Sequence, residues 1–280
     1  MSANSIIHHP FIKVLVYANV FIALCAFAQV LLTQLLFKLP FNPDNISYLA
    51  LIPLSTYIQY NIQRGYMINP QNYYTDRSQW LLKNKKKMLI SMGICLLILL
   101  FLCWSLSWKS VIVLFGAELI STLYFLPPFN LRKFGYVKPF LISAVWVVSC
   151  VVVPLIENKM LDAGHAQNYL FIAAQFLFIA ELCMVFDIKD AGDDFIAGVY
   201  TYANVWGTKF TKVLCTILLI ASGVNFWLFD QKLSWFNLVP LLISLVFTLL
   251  STDKKHGFWF YLAIDGLLIL QLLFLSFALL

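Results

Sequence analysis

The sequence predicts an all-α membrane protein, a bundle of about nine transmembrane helices with no soluble domain. Two features of composition and one of pattern lead there. Hydrophobic residues fill 61% of the 280 positions and charged residues only 11%. A soluble domain carries about 25% charged residues, so this chain lacks the polar groups to cover a water-facing surface. Continuously apolar runs recur along the whole length, each near the roughly 20 residues that a helix needs to cross a hydrocarbon core of about 30 Å. A membrane β-barrel would instead show ten-residue segments of alternating polarity.

The runs fall at roughly 14–37, 46–63, 88–107, 110–127, 139–157, 168–187, 210–229, 234–251 and 258–279, with Pro40, Pro43, Gly65, Pro70, Pro127, Pro128 and Gly257 in the gaps. The run after Lys13 is too long for the apolar core of a signal peptide and has no small-residue cleavage pattern behind it. It is expected to be the first span. No stretch is low in complexity, acidic or rich in Gly and Ser, so residues 1–280 are expected to form a single polytopic domain. Cys25, Cys95, Cys103, Cys150, Cys183 and Cys215 all fall in apolar runs without C-x-x-C spacing, which suits small packing residues better than a disulfide or metal framework.

Nine spans divide the cations unequally. Lys13, Arg64, Arg77, Lys83, Lys85, Lys86, Lys87, Arg132, Lys133, Lys138, Lys189, Lys209, Lys212, Lys254 and Lys255 share one side; Lys38, Lys109, Lys159 and Lys232 share the other. By the positive-inside rule the crowded side is cytoplasmic, with the N-terminus inside and the C-terminus outside. The net charge of +6 is then topological and no sign of nucleic-acid binding. The cluster Lys83 to Lys87 is expected to meet anionic headgroups beside a span.

One cytoplasmic segment is acidic. Asp187, Asp190, Asp193 and Asp194 follow the sixth run directly. If that run continues as helix, Asp187, Asp190 and Asp194 lie at i, i+3 and i+7 on one face, within reach of a common ion. Clustered carboxylates repel unless a cation or proton intervenes. Hard oxygen ligands suit Mg²⁺, which holds several waters and bridges one or two carboxylates to a substrate phosphate. Gly198, Thr201 and Gly207 come next, before the seventh run.

The segment DIKDAGDDFIAGVYTYANVWG resembles the second aspartate-rich motif of the UbiA superfamily of intramembrane prenyltransferases, in which D-x-x-D-x-x-x-D-x-x-x-G-x-x-T precedes a further Gly. Asp187, Asp190, Asp194, Gly198, Thr201 and Gly207 match it in order and spacing. The resemblance implies a UbiA-like bundle of nine helices with cytoplasmic cap loops after the second and sixth. It implies transfer of an isoprenyl group from a prenyl diphosphate to an aromatic or lipid acceptor, with Mg²⁺ on Asp187, Asp190 and Asp194. Asn61, Arg64, Arg132, Lys133, Lys138 and Lys189 are the candidates to bind the diphosphate head. The partners expected are an isoprenyl diphosphate, a hydrophobic acceptor and membrane lipid.

The first motif of that family resembles N-D-x-x-D-x-x-x-D. Asn61 matches its leading Asn, but Ile62, Gly65 and Asn69 stand at the three Asp positions, and Asp76 is the one carboxylate left in the loop. A Tyr-x-x-x-Lys element is also altered, with Pro128 following Tyr124. Arg64 is a candidate to replace a metal, since a guanidinium grips phosphate bidentately. The alternative is that Arg64 is a positive-inside anchor on a non-catalytic UbiA-like protein that binds a lipid or protein partner. A secondary transporter is a third reading, because Glu118, Glu181 and Asp265 lie inside apolar runs; each is expected to be a packing group facing the bundle interior. Of the aromatic residues, Tyr57, Tyr60, Tyr124, Trp146 and Phe186 are candidates to line a cavity. His8, His9, His165 and His256 have no ligand spacing to the acidic segment.

Overall fold

The computed structural model describes residues 9–42, 46–67, 75–161, 165–255 and 257–279, and every regular element among them is helical. Asn69, His8, His256, Pro43 and Pro70 lie outside the described residues. In chain order the helices are α1 (Pro10–Tyr17), α2 (Val20–Leu36), α3 (Tyr48–Met67), α4 (Asp76–Cys103), α5 (Trp108–Leu123), α6 (Lys138–Glu157), α7 (Ala166–Ile196), α8 (Tyr202–Val205), α9 (Gly207–Phe229), α10 (Gln231–Leu250) and α11 (Trp259–Phe277).

Each expected span overlies a helix, but not all have the character expected of a span. Six of them, α4, α6, α7, α9, α10 and α11, are long and apolar enough to cross a membrane, and α1 with α2 makes a seventh if the bent pair is one span. The expected spans at 46–63 and 110–127 become α3 and α5. The second half of α3 carries Gln59, Asn61, Gln63 and Arg64, and α5 is only 16 residues long. Among the described residues the count of clear spanning helices is therefore six or seven rather than nine. The architecture is a multi-pass helical membrane bundle. Large apolar side chains cover its outside, including Leu97, Phe101, Phe115, Ile220 and Trp235, as a lipid-facing surface requires.

The helices close a ring by successive contacts, α2 on α3, α3 on α5, α5 on α6, α6 on α7, α7 on α9, α9 on α10, α10 on α11 and α11 back on α2. α4 packs on the outside of α3 and is almost wholly uncovered over its apolar part. All six cysteines are free.

Three departures from ideal helix shape the interior. The α1–α2 path bends by 63° at Ala18 and Asn19. Asn19 there takes a left-handed backbone, φ 59°, which Asn tolerates better than most residues. Residues Val148–Val152 of α6 and Trp259–Ile264 of α11 are π-helical. Such turns carry i→i+5 hydrogen bonds and widen a helix locally. Ser149, Cys150 and Tyr261 from these turns line the interior cavity.

Candidate functional site

α7 runs unbroken from Ala166 to Ile196, past the expected end of the sixth span, so the acidic residues expected in a loop lie on a helix and the condition for a common face is met. The remaining half of the motif is turn chemistry. Gly198 follows the last turn with φ +72°, while Val199 N–H donates to Asp194 C=O at 2.8 Å and Gly198 N–H to Phe195 C=O at 3.0 Å. This is the Schellman ending, whose left-handed position favours glycine. Thr201 caps α8 in a reciprocal pair with Asn204. Gly207, at φ +86°, turns the chain into α9.

Inside the ring lies a cavity of about 260 Å³. Its charged end collects Arg64 from the last turn of α3, Arg77 from the first turn of α4, Arg132 and Lys138 around the start of α6, and Asp187 and Asp190 from α7. Its apolar length runs between Phe21, Ile142, Val145, Ile179, Leu182 and Leu268. Of the aromatic candidates, Tyr60, Tyr124, Trp146 and Phe186 line it; Tyr57 instead meets Ser91 at 2.7 Å.

The carboxylates are not clustered around an open centre. Lys138 Nζ lies 2.6 Å from Asp187 Oδ1 and 2.6 Å from Asp194 Oδ2, and Arg132 Nη2 donates to Asp194 Oδ1 at 2.6 Å. The two carboxylates and Lys138 are deeply buried, Asp194 at 0% exposed, Asp187 at 1% and Lys138 at 7%, while Arg132 is half-buried. The Lys138–Asp187 contact is an ion pair without hydrogen-bond geometry, so both Asp187 oxygens are buried with no hydrogen-bond donor. Asp190 pairs with its neighbour Lys189, whose Nζ also stands 5.4 Å from the ring centroid of Tyr261. Burial alone would lower the basicity of Arg132, but Asp194 beside it raises it further, and the net shift is upward.

Lys138 reaches both carboxylates because of a close approach. A side chain at Gly135 would place its Cβ 2.2 Å from the carbonyl oxygen of Tyr200. Only glycine lets the 134–137 turn rest on the loop after α7. Lys138 follows that turn directly and is carried over the acidic face.

The expected site residues therefore separate. Arg64, Arg132, Lys138, Asp187 and Asp190 come together on the cavity wall. Asp194 lies behind it, holding Arg132 and Lys138, and Lys133 is exposed. Asn61 lies off the wall as well, so its place is structural: it accepts from Asn19 Nδ2 at 2.8 Å and donates to the carbonyls of Ala18 and Tyr57. Asp187, Asp190 and Asp194 do not converge on one point, and among the described residues no group of three or more His, Cys, Asp or Glu side chains is disposed to hold a metal ion. The shared cation between Asp187 and Asp194 is the ammonium of Lys138.

Sequence reasoning passed over Arg77, which it counted only as a topological charge. Arg77 Nη2 donates to Asn19 Oδ1 at 2.7 Å and Val16 C=O at 3.3 Å, and its guanidinium lies 4.9 Å from the centroid of Tyr261. One signal was available. A cation in the first turn of a helix opposes the helix dipole, and both Arg77 and Lys138 occupy such a turn.

The buried acids of the apolar runs divide too. Glu181 is a packing group, accepting from Ser244 at 2.8 Å and Thr248 at 2.5 Å. Glu118 and Asp265 instead line the cavity.

No protein-family model matches this chain, and no curated protein or solved structure matches it either.

Proposed function

We propose that this chain is a UbiA-like membrane prenyltransferase, moving an isoprenyl group from a prenyl diphosphate to an aromatic or lipid acceptor. One observation carries the reading: a single cavity joins a cationic, carboxylate-bearing end to an apolar length enclosed by helices. An isoprenyl diphosphate has the same polarity, a polyanionic head on a hydrocarbon chain. Its head would meet Arg64, Arg132 and Lys138, and its chain would lie among Ile142, Val145, Leu182 and Leu268.

In the transfer, the bond between the allylic carbon and the diphosphate oxygen breaks and its electron pair leaves with diphosphate. The acceptor forms the new carbon bond and gives up a proton. Cations fixed at the charged end favour departure of the diphosphate. The faces of Tyr60, Tyr124, Trp146 and Phe186 lie along the route, and ring faces favour a nearby positive charge. The surrounding helices keep water from the reacting carbon.

Asp187 and Asp190 face the cavity together, Asp187 against the Lys138 ammonium and Asp190 against Lys189. That pair would offer Mg²⁺ the one or two carboxylates it needs beside water and phosphate once Lys138 and Lys189 give way to the ion. When bound, the ion would neutralise charge on the departing diphosphate. Asp194, saturated by Arg132 and Lys138, is left out of the ligand set and serves to position them. The same reading takes α3 and α5 as spans, making nine, with the charged end cytoplasmic and the C-terminus outside, as the distribution of Lys and Arg supports.

A non-catalytic protein that binds a phosphorylated isoprenoid is the second reading. It is favoured by the neutralisation of Asp187 and Asp194 by the chain's own cations. The two separate when purified protein in lipid nanodiscs is given farnesyl and longer prenyl diphosphates, Mg²⁺ and a membrane lipid extract. Released diphosphate with an alkylated product supports the transferase. Binding without release supports the second reading, and no binding of any prenyl diphosphate overturns both.

A further inference from the structure

We infer that Arg64 and Arg77 form a metal-independent clamp for a phosphate group, facing the acidic face of α7 across the charged end of the cavity. The clamp deepens the proposed function and rests on it for the identity of the larger ligand, while its affinity for phosphate follows from its own residues.

Both guanidiniums line the cavity. They come from consecutive helices, the last turn of α3 and the first turn of α4. Neither forms an ion pair with a carboxylate among the described residues, and they lie close enough for their charges to act on each other. Two like charges held together on a half-buried wall are unfavourable unless further negative charge joins them. Arg77 Nε is also buried without a hydrogen-bond acceptor, the kind of orphaned donor that native structures rarely leave.

Arg77 is built in. Its Nη2 is tied to Asn19 Oδ1, Asn19 to Asn61, and Asn61 to the backbone of Ala18 and Tyr57. Tyr261 lies under its plane. This network fixes the guanidinium from the α1–α2 bend and from α3, so little freedom is lost when a ligand arrives. Asp265, one turn beyond Tyr261 on α11, lies close enough for its charge to act on both arginines, and Asp190 on Arg64, but neither carboxylate forms an ion pair with them among the described residues.

A planar fork of donors matches phosphate oxygens bidentately. The ligand class is therefore a phosphate ester, and in the proposed function it is the phosphate of the prenyl diphosphate that lies away from Asp187 and Asp190. A half-site made of fixed cations needs no divalent ion of its own.

The test is binding of inorganic diphosphate, with inorganic phosphate beside it, to the full chain in nanodiscs containing EDTA. Wild-type protein is expected to bind diphosphate without metal. Arg64→Gln and Arg77→Gln are each expected to weaken binding tenfold or more, while Arg64→Lys and Arg77→Lys recover part of the loss. Arg77→Gln also removes the bond to Asn19, so if it misfolds, Arg64→Gln, which removes no such bond, decides the outcome. No binding in EDTA, or unchanged binding in folded Arg64→Gln, overturns the clamp even if the protein releases diphosphate with Mg²⁺. Binding in EDTA that both variants lose supports the clamp even if no prenyl group is ever transferred.

Discussion

Lys138 is held to Asp194 by a 2.6 Å contact in which neither side chain reaches solvent appreciably. Removing one member of a buried ion pair costs about 3–5 kcal/mol, and here loss of the Asp194 carboxylate takes a partner from Arg132 as well as from Lys138, which keeps Asp187. Asp194→Asn is accordingly expected to lower thermal stability sharply in detergent. Asp194→Asn with Lys138→Met should be less stable still, because it also takes the ammonium from the buried carboxylate of Asp187. A single variant as stable as wild type would show that the pair contributes nothing to the fold.

Gly135 supplies a separate handle on the same geometry. In Gly135→Ala the new Cβ meets backbone, not a flexible side chain, so the turn itself has to move. Arg132 and Lys138 lie on either side of that turn, and a displacement of about 1 Å can cost around a hundredfold in rate. The expected result is a large loss of diphosphate release with little loss of helical circular dichroism. Wild-type rates in this variant would mean that the approach to Tyr200 does not set the position of Lys138.

Asp190 and Asp193 lie on the same stretch of α7 but face differently. Asp190 lines the cavity, and Asp193 is exposed. Mg²⁺-dependent diphosphate release should fall at least tenfold in Asp190→Asn and stay within about twofold of wild type in Asp193→Asn, since surface charges far from a ligand contribute little. Equal effects would remove Asp190 from the proposed ligand pair.

Glu181 serves as a control for the buried acids. Its two oxygens are taken by Ser244 and Thr248, so Glu181→Ala leaves two buried hydroxyls in need of partners, at about 1–3 kcal/mol. Stability should drop while the affinity for inorganic diphosphate stays unchanged. A change in affinity at full stability would give Glu181 a part in binding.

The bundle was legible because apolar runs of spanning length leave few alternatives to helix. Those runs also located every major helix. What they could not show was polarity inside a helix: α3 carries Gln59, Gln63 and Arg64 because it forms a wall of the cavity, and a hydropathy profile sees such a wall only as a weaker span. The bend at Asn19 and the π turns at Val148–Val152 and Trp259–Ile264 left no mark in composition, since both depend on what the neighbouring helices require.

At the site, the i, i+3, i+7 spacing gave a common face only on the condition that the sixth run continues as helix, which it does to Ile196 although a loop was expected there, and the basic loop before α6 was already a candidate partner. The spacing could not reveal that Lys138 would stand between Asp187 and Asp194, because that contact joins residues far apart in sequence and turns on Gly135. Arg77 was hidden for a related reason. In a chain whose cations are expected to sort by membrane side, one more on the crowded side attracts no notice.

The ammonium between Asp187 and Asp194 also changes what the protein asks of its surroundings. A soluble ion occupies a site according to its concentration, whereas a counter-charge carried on the chain obeys no such mass action. The acidic face of α7 therefore stays neutralised when divalent ions are scarce. Folding and assembly of the bundle are thereby separated from ion supply.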